Sequence, residues 1–112
     1  GYWDVVEEHA RYKGKEEGEG RILIRYTAKS LNWVAGSSPE REIRVEVFLD
    51  GKPLSRTEAG RDVVFSGEGQ SYLSIRENRL YYVVSDPQGY RTHTLMLKVK
   101  GEGLEAFTFT FG

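Results

Sequence analysis

The chain has 112 residues, enough for one hydrophobic core and too few for two. Lys and Arg number 16 against 17 Asp and Glu, a formal charge of −1, so no global field draws the chain to nucleic acid or to an anionic membrane. Cysteine is absent, which removes disulfides, thiolate nucleophiles and Cys-ligated metals, and no apolar run approaches the ~20 residues that span a bilayer.

The chain opens Gly1-Tyr2-Trp3 without an initiating Met or a basic-then-apolar leader, as expected of a domain excised from something longer. Trp3 and Val5 predict a short first strand. Glu7, Glu8, Ala10 and Arg11 have fair helix propensity but no apolar stripe, so Val5 to Tyr12 reads as strand then loop. The run from Lys13 to Gly20 is charged and Gly-rich, an exposed loop. Ile22, Ile24, Tyr26 and Ala28 then alternate with Leu23, Arg25 and Thr27, the period-two pattern of a strand with one apolar face. Leu31 to Ala35 is a further extended piece, ending at Gly36-Ser-Ser-Pro39.

Ile43, Val45, Val47 and Leu49 alternate with Arg44, Glu46 and Phe48 before Asp50-Gly51, a strong hairpin signal. Pro53 keeps its position out of a central strand. Val63 to Phe65 is a short strand. Tyr72 to Ile75 and Leu80 to Val84 read as a hairpin joined through Glu77-Asn78, and Asp86-Pro-Gln-Gly89 as a turn. His93, Leu95, Leu97 and Val99 share one face of the next strand. The last residues, Glu105 to Gly112, place Phe107, Phe109 and Phe111 on one face, which must be paired into a sheet to avoid aggregation. Loss of a buried Phe109 side chain would cost roughly 3–5 kcal/mol. The pattern is all-β: an antiparallel β-sandwich of jelly-roll type with about eight or nine strands and no helix.

No constellation of residues carries catalysis. A general base needs a positioned partner and a metal needs several ligands. His93 reads as a hydrogen-bonded histidine at a sheet edge, and His9 as a solvated side chain beside Glu7 and Glu8. Asp50 and Asp86 are explained by their turns, and Glu16, Glu17 and Glu19 by their loop. Asp62 has no evident local role; it caps a turn or holds a structural cation. Neither a cofactor nor a metal is expected. Flat aromatic rings are the remaining ligand candidates, because sugar-binding sandwiches stack them on apolar sugar faces. They are Trp33, Phe48, Tyr72, Tyr81 and Tyr90. Core packing is the expectation for Trp33 and Tyr81. Phe48 and Tyr90 are open to stacking or, for Phe48, to packing on a neighbouring domain.

Several stretches carry a family resemblance. They are Arg25-Tyr-Thr-Ala28 with Leu31-Asn-Trp-Val34, Val47-Phe-Leu-Asp-Gly-Lys-Pro-Leu54, Asp62-Val63, Arg79-Leu-Tyr81 with His93-Thr-Leu95, and Phe109-Thr-Phe-Gly112. Their order resembles the C-terminal domain of DipZ-type thiol–disulfide interchange proteins, also described as the thioredoxin-like C-terminal domain, from Gly20 onward. The resemblance implies a jelly-roll module similar to carbohydrate-binding modules, placed after a thioredoxin-fold domain and facing outside the bacterial cytoplasm. The Cys-x-x-Cys of such proteins belongs to the thioredoxin domain, so no redox residue carries over. The expected role is a non-catalytic accessory module of an extracytoplasmic redox protein, at the periplasm or cell envelope. Its partners would be the thioredoxin-fold domain of the same parent chain and a protein or glycan. A true carbohydrate-binding module and a purely structural domain that stabilises its redox neighbour remain alternatives.

Overall fold

A computed structural model of the chain describes residues 2–6, 9–13, 19–37, 42–101 and 103–112, with backbone alone for 2–6, 9–13, 19, 106 and 107. The described residues contain the strands β1 (Tyr2–Val6), β2 (His9–Lys13), β3 (Glu19–Ala28), β4 (Ser30–Ser37), β5 (Ile43–Leu49), β6 (Lys52–Pro53), β7 (Val64–Phe65), β8 (Ser71–Ile75), β9 (Arg79–Ser85), β10 (Arg91–Lys100) and β11 (Leu104–Phe111). No helix occurs among them. The large sheet runs β2-β1-β3-β10-β5-β8-β7, with β6 on β5, and the small one β11-β4-β9. All pairings are antiparallel except β1 with β3. Consecutive strands cross between sheets at β3/β4, β4/β5, β8/β9, β9/β10 and β10/β11, the wrapped order of a jelly roll.

Period-two alternation places the core. Ile22, Ile24, Tyr26 and Ala28 of β3 are buried, as are Ile43, Val45, Val47 and Leu49 of β5, and Leu95, Leu97 and Val99 of β10. From the small sheet, Leu31, Trp33, Ala35, Tyr81 and Val83 join the same cluster. β10 is central: β3 flanks it over ten register positions and β5 over six. The Asp50-Gly51 turn has φ of 53° and 85°, both left-handed, as the tight hairpin between β5 and β6 requires. Pro53 sits in a two-residue strand paired to β5 alone, so it deprives no second neighbour of a donor.

Several expectations are corrected. His9–Lys13 is a strand, not a loop, because it pairs with β1 from Val6↔His9 to Tyr2↔Lys13, and sheet pairing overrides the local preference. The expected exposed loop starts later, since Lys13 belongs to β2 and Glu19 to β3; positions 14–18 lie outside the described residues, as do 38–41. β8 and β9 are not a hairpin. Ile75 pairs with Ile43 in the large sheet, whereas Leu80 pairs with Val34 in the small one. The Tyr81 hydroxyl pins this step, accepting from the Arg76 N–H at 3.1 Å and donating to the Glu77 carbonyl at 2.8 Å. Finally, Phe109 and Phe111 are half-buried, because β11 lies at the edge of its sheet with a neighbour on one side only.

Residues 58–62 run along β9. Gly60 N–H donates to the Val83 carbonyl, Ser85 N–H to the Glu58 carbonyl, and Ala59 bridges Val84. A Cβ at Gly60 would lie 2.3 Å from the Tyr82 carbonyl oxygen. Gly60→Ala is therefore expected to cost about 1–3 kcal/mol by urea unfolding, as overpacking does. Gly67, with no atom within 4 Å of its would-be Cβ, is the control, and Gly67→Ala should change stability by under about 0.5 kcal/mol. In the same assay Leu97→Ala should cost roughly 2–5 kcal/mol and the half-buried Phe109→Ala less than that.

Candidate functional site

One rim of the sandwich gathers the turn after β5, the turn before β10 and the end of β3. The Asp50 carboxylate accepts from Thr94 N–H at 2.8 Å and lies 2.7 Å from His93 Nδ1. The Asp86 carboxylate lies 2.8 Å from His93 Nε2, accepts from Gln88 N–H at 2.8 Å, and takes both Arg91 Nε at 2.7 Å and Nη2 at 3.2 Å. A neutral imidazole has one N–H and cannot donate to two carboxylates. With both ring nitrogens on ionised acceptors, His93 is held as the imidazolium, and two cations face two anions.

Electrostatics agree with that geometry. Burial works against the charge on His93, but the bonds to Asp86 and Asp50 outweigh it and raise its pKa. Arg91, then His93 and the Gln88 N–H, hold the Asp86 carboxyl well below the usual range. Burial would raise Asp50, but Thr94 N–H and His93 bring it below its ordinary value. Tyr26 packs its ring 5.9 Å from His93 and 5.6 Å from Phe111. Burial first, then the Asp50, Asp86 and Glu58 charges, push its phenol far above the ordinary range, so it stays protonated. Its hydroxyl is buried and has no partner among the described residues; the same holds for the Trp33 indole N–H.

This cluster fastens turns together and offers no free nitrogen for a base or a metal. His93 is hydrogen-bonded, as read from the sequence, but it stands at the end of a central strand and not at a sheet edge. The roles of Asp50, Asp86 and Arg91 were missed because Asp50 lies 43 positions from His93 and each acid had a sufficient turn explanation. The Asp62 carboxylate binds the neighbouring strand β9 and no local turn: it accepts from Tyr82 N–H at 2.7 Å and pairs with Arg79 at 3.0 Å. Among the described residues, no group of three or more acids and histidines is arranged to hold a metal ion. His9 has no described side chain.

The five aromatic candidates do not converge. Trp33 and Tyr81 face each other in register between β4 and β9, each at most 1% exposed, and Trp33 stacks on Phe109 at 5.8 Å. Neither ring is open to a ligand. Phe48 and Tyr72 are half-buried on the outer face of the large sheet, and the Arg44 guanidinium covers the Tyr72 ring at 3.8 Å. Tyr90 alone among the five is freely presented, 72% exposed, in the turn that Asp86 braces.

A family model described as the thioredoxin-like C-terminal domain matches residues 1–112. The chain belongs to that family. No curated protein and no solved structure matches it. Membership agrees with the resemblance read from the sequence at the level of the thioredoxin-like C-terminal domain.

The rim makes the stability of this thioredoxin-like C-terminal domain depend on pH from both sides. His93 has a raised folded pKa, so its contribution is complete below about pH 6.5, the unfolded value, and is lost as pH rises through the folded one. Asp50 and Asp86 have lowered pKa values, so theirs is complete above about pH 3.9 and is lost on further acidification. Melting temperature followed by circular dichroism should peak between about pH 4 and 6.5. His93→Gln should flatten the alkaline limb; an unchanged limb would place the titrating group elsewhere.

Proposed function

We propose that the domain is a non-catalytic accessory module of an extracytoplasmic, DipZ-type thioredoxin-like thiol–disulfide interchange protein, working at the cell envelope by docking. The observation that carries this reading is the match of the whole chain to the thioredoxin-like C-terminal domain, joined to a sequence without cysteine. Thiol–disulfide exchange requires a thiolate, so redox chemistry must come from the thioredoxin-fold domain. This module contributes a rigid body: an ion-clamped rim at one end and a broad sheet on one side. Its work is to orient the redox domain or to hold what that domain acts on.

A glycan is the second reading, favoured by Tyr90. Its ring is open to solvent while its turn is fixed by four hydrogen bonds to the Asp86 carboxylate, and a preorganised aromatic suits stacking on an apolar sugar face.

Both readings are checked on the parent protein. Reduction of a folded, disulfide-bonded protein substrate should slow when residues 1–112 are removed, while reduction of a small disulfide stays the same. Equal rates on both substrates would end the docking reading. In affinity electrophoresis through a series of polysaccharides, a glycan-binding module should be retarded by at least one, and Tyr90→Ala should abolish the shift.

A further inference from the structure

Alternation puts Leu23 of β3, Met96 of β10, Phe48 of β5 and Pro53 of β6 on the outer face of the large sheet, opposite to the buried side chains of the same strands. The register then sets them side by side: Leu23 opposite Met96, Met96 opposite Phe48, Phe48 opposite Pro53. Tyr72 of β8 lies beside this row, opposite Glu46 and under the Arg44 guanidinium. Leu23, Met96 and Phe48 are half-buried, yet none belongs to the hydrophobic core or packs against it. An antiparallel sheet with one wet face should alternate apolar-in and polar-out, so an apolar row across four strands of the outward face has no use inside the sandwich.

Charge frames the row. Arg21, Arg25, Arg44, Lys98 and Lys100 stand on this face, against the carboxylates of Glu46 and of Glu42, which accepts from Ser74. Two of the cross-strand pairs are like-charged: Arg21 opposite Lys98 and Arg44 opposite Lys100. Directly opposed like charges destabilise a sheet. The whole chain carries −1, so the basic character is gathered here and not general. Lys98 also stands opposite Glu46, and Lys100 reaches that carboxylate at 4.0 Å, yet the five cations named outnumber the two carboxylates. Apolar residues in a basic frame describe a contact surface for a protein with an apolar centre and an acidic border.

We propose that this outer face is where the thioredoxin-fold domain of the parent chain docks, presenting acidic groups around an apolar patch. The inference rests on the accessory-module reading and gives it a surface. An apolar centre distinguishes such an occupant from a flexible polyanion, which would be met by charge alone.

The test uses the full-length parent protein, followed by small-angle scattering and calorimetry. Phe48→Glu places a charge in the middle of the row, and Lys98→Glu reverses an outward charge without touching the core. Each is expected to extend the scattering envelope and to split one cooperative melting transition into two, with Lys98→Glu weakened further at high salt. Unchanged scattering and melting in Lys98→Glu would overturn the proposal, even if Phe48→Glu fails to fold. So would retention on a sulfated-dextran column that Lys98→Glu abolishes while domain arrangement stays the same, since that marks a polyanion site. If removing residues 1–112 leaves both the redox domain's melting and its protein-substrate turnover unaltered, the accessory reading fails together with the surface. If that removal matters and the two variants do not, only the surface fails.

Discussion

β10 is the strand on which the rest of the molecule is built. It lies between β3 and β5, and it supplies Leu95, Leu97 and Val99 to the core from the middle of the large sheet. A central strand has both backbone edges paired, so its register fixes that of two neighbours at once. Its first turnward residue on the inner face is His93, where the apolar row gives way to an imidazolium between two carboxylates. An unpaired buried charge there would be costly; here each ring nitrogen has its acceptor, and Asp86 has Arg91 besides. The same strand therefore closes the core along its length and locks the rim at its end.

Much of this was legible because a strand's side-chain period is fixed by covalent geometry. The inward faces of β3, β5 and β10 follow residue by residue from alternation alone, and the Asp50-Gly51 turn from the tolerance of these two residues for left-handed backbone. The connection from β8 to β9 shows where such reading stops. Glu77-Asn78 marks a reversal of the chain, but a reversal within one sheet and a step to the opposite sheet use the same local residues. What decides between them is pairing with β5 and β4, between 26 and 55 positions away in sequence.

The ionic rim was hidden for a related reason. Each of its acids is satisfied by a local explanation, since Asp50 and Asp86 both shape turns, and no local pattern says that one histidine reaches both. Phe109 illustrates a third kind of limit. Alternation assigns it a face, but how far that face is covered depends on whether its strand is central or at an edge, and β11 is at an edge. Burial energies estimated from side-chain type alone overstate such positions.

The outer apolar row and the Tyr90 turn face different ways. Phe48 and Met96 stand two and three positions from the rim residues Asp50 and His93, about 7–10 Å along their strands at roughly 3.3 Å per residue. The row also faces outward from the sheet, whereas Tyr90 projects from the turn at its end. A domain seated over Leu23, Met96 and Phe48 would approach from the outer face of the sheet and not from the turn that carries Tyr90. In the accessory-module reading proposed above, the sheet face would meet the neighbour within the chain and the rim something outside it. An exposed turn holds an aromatic ring in one place only if its own backbone is fastened, and Asp86 does this for the turn of Tyr90.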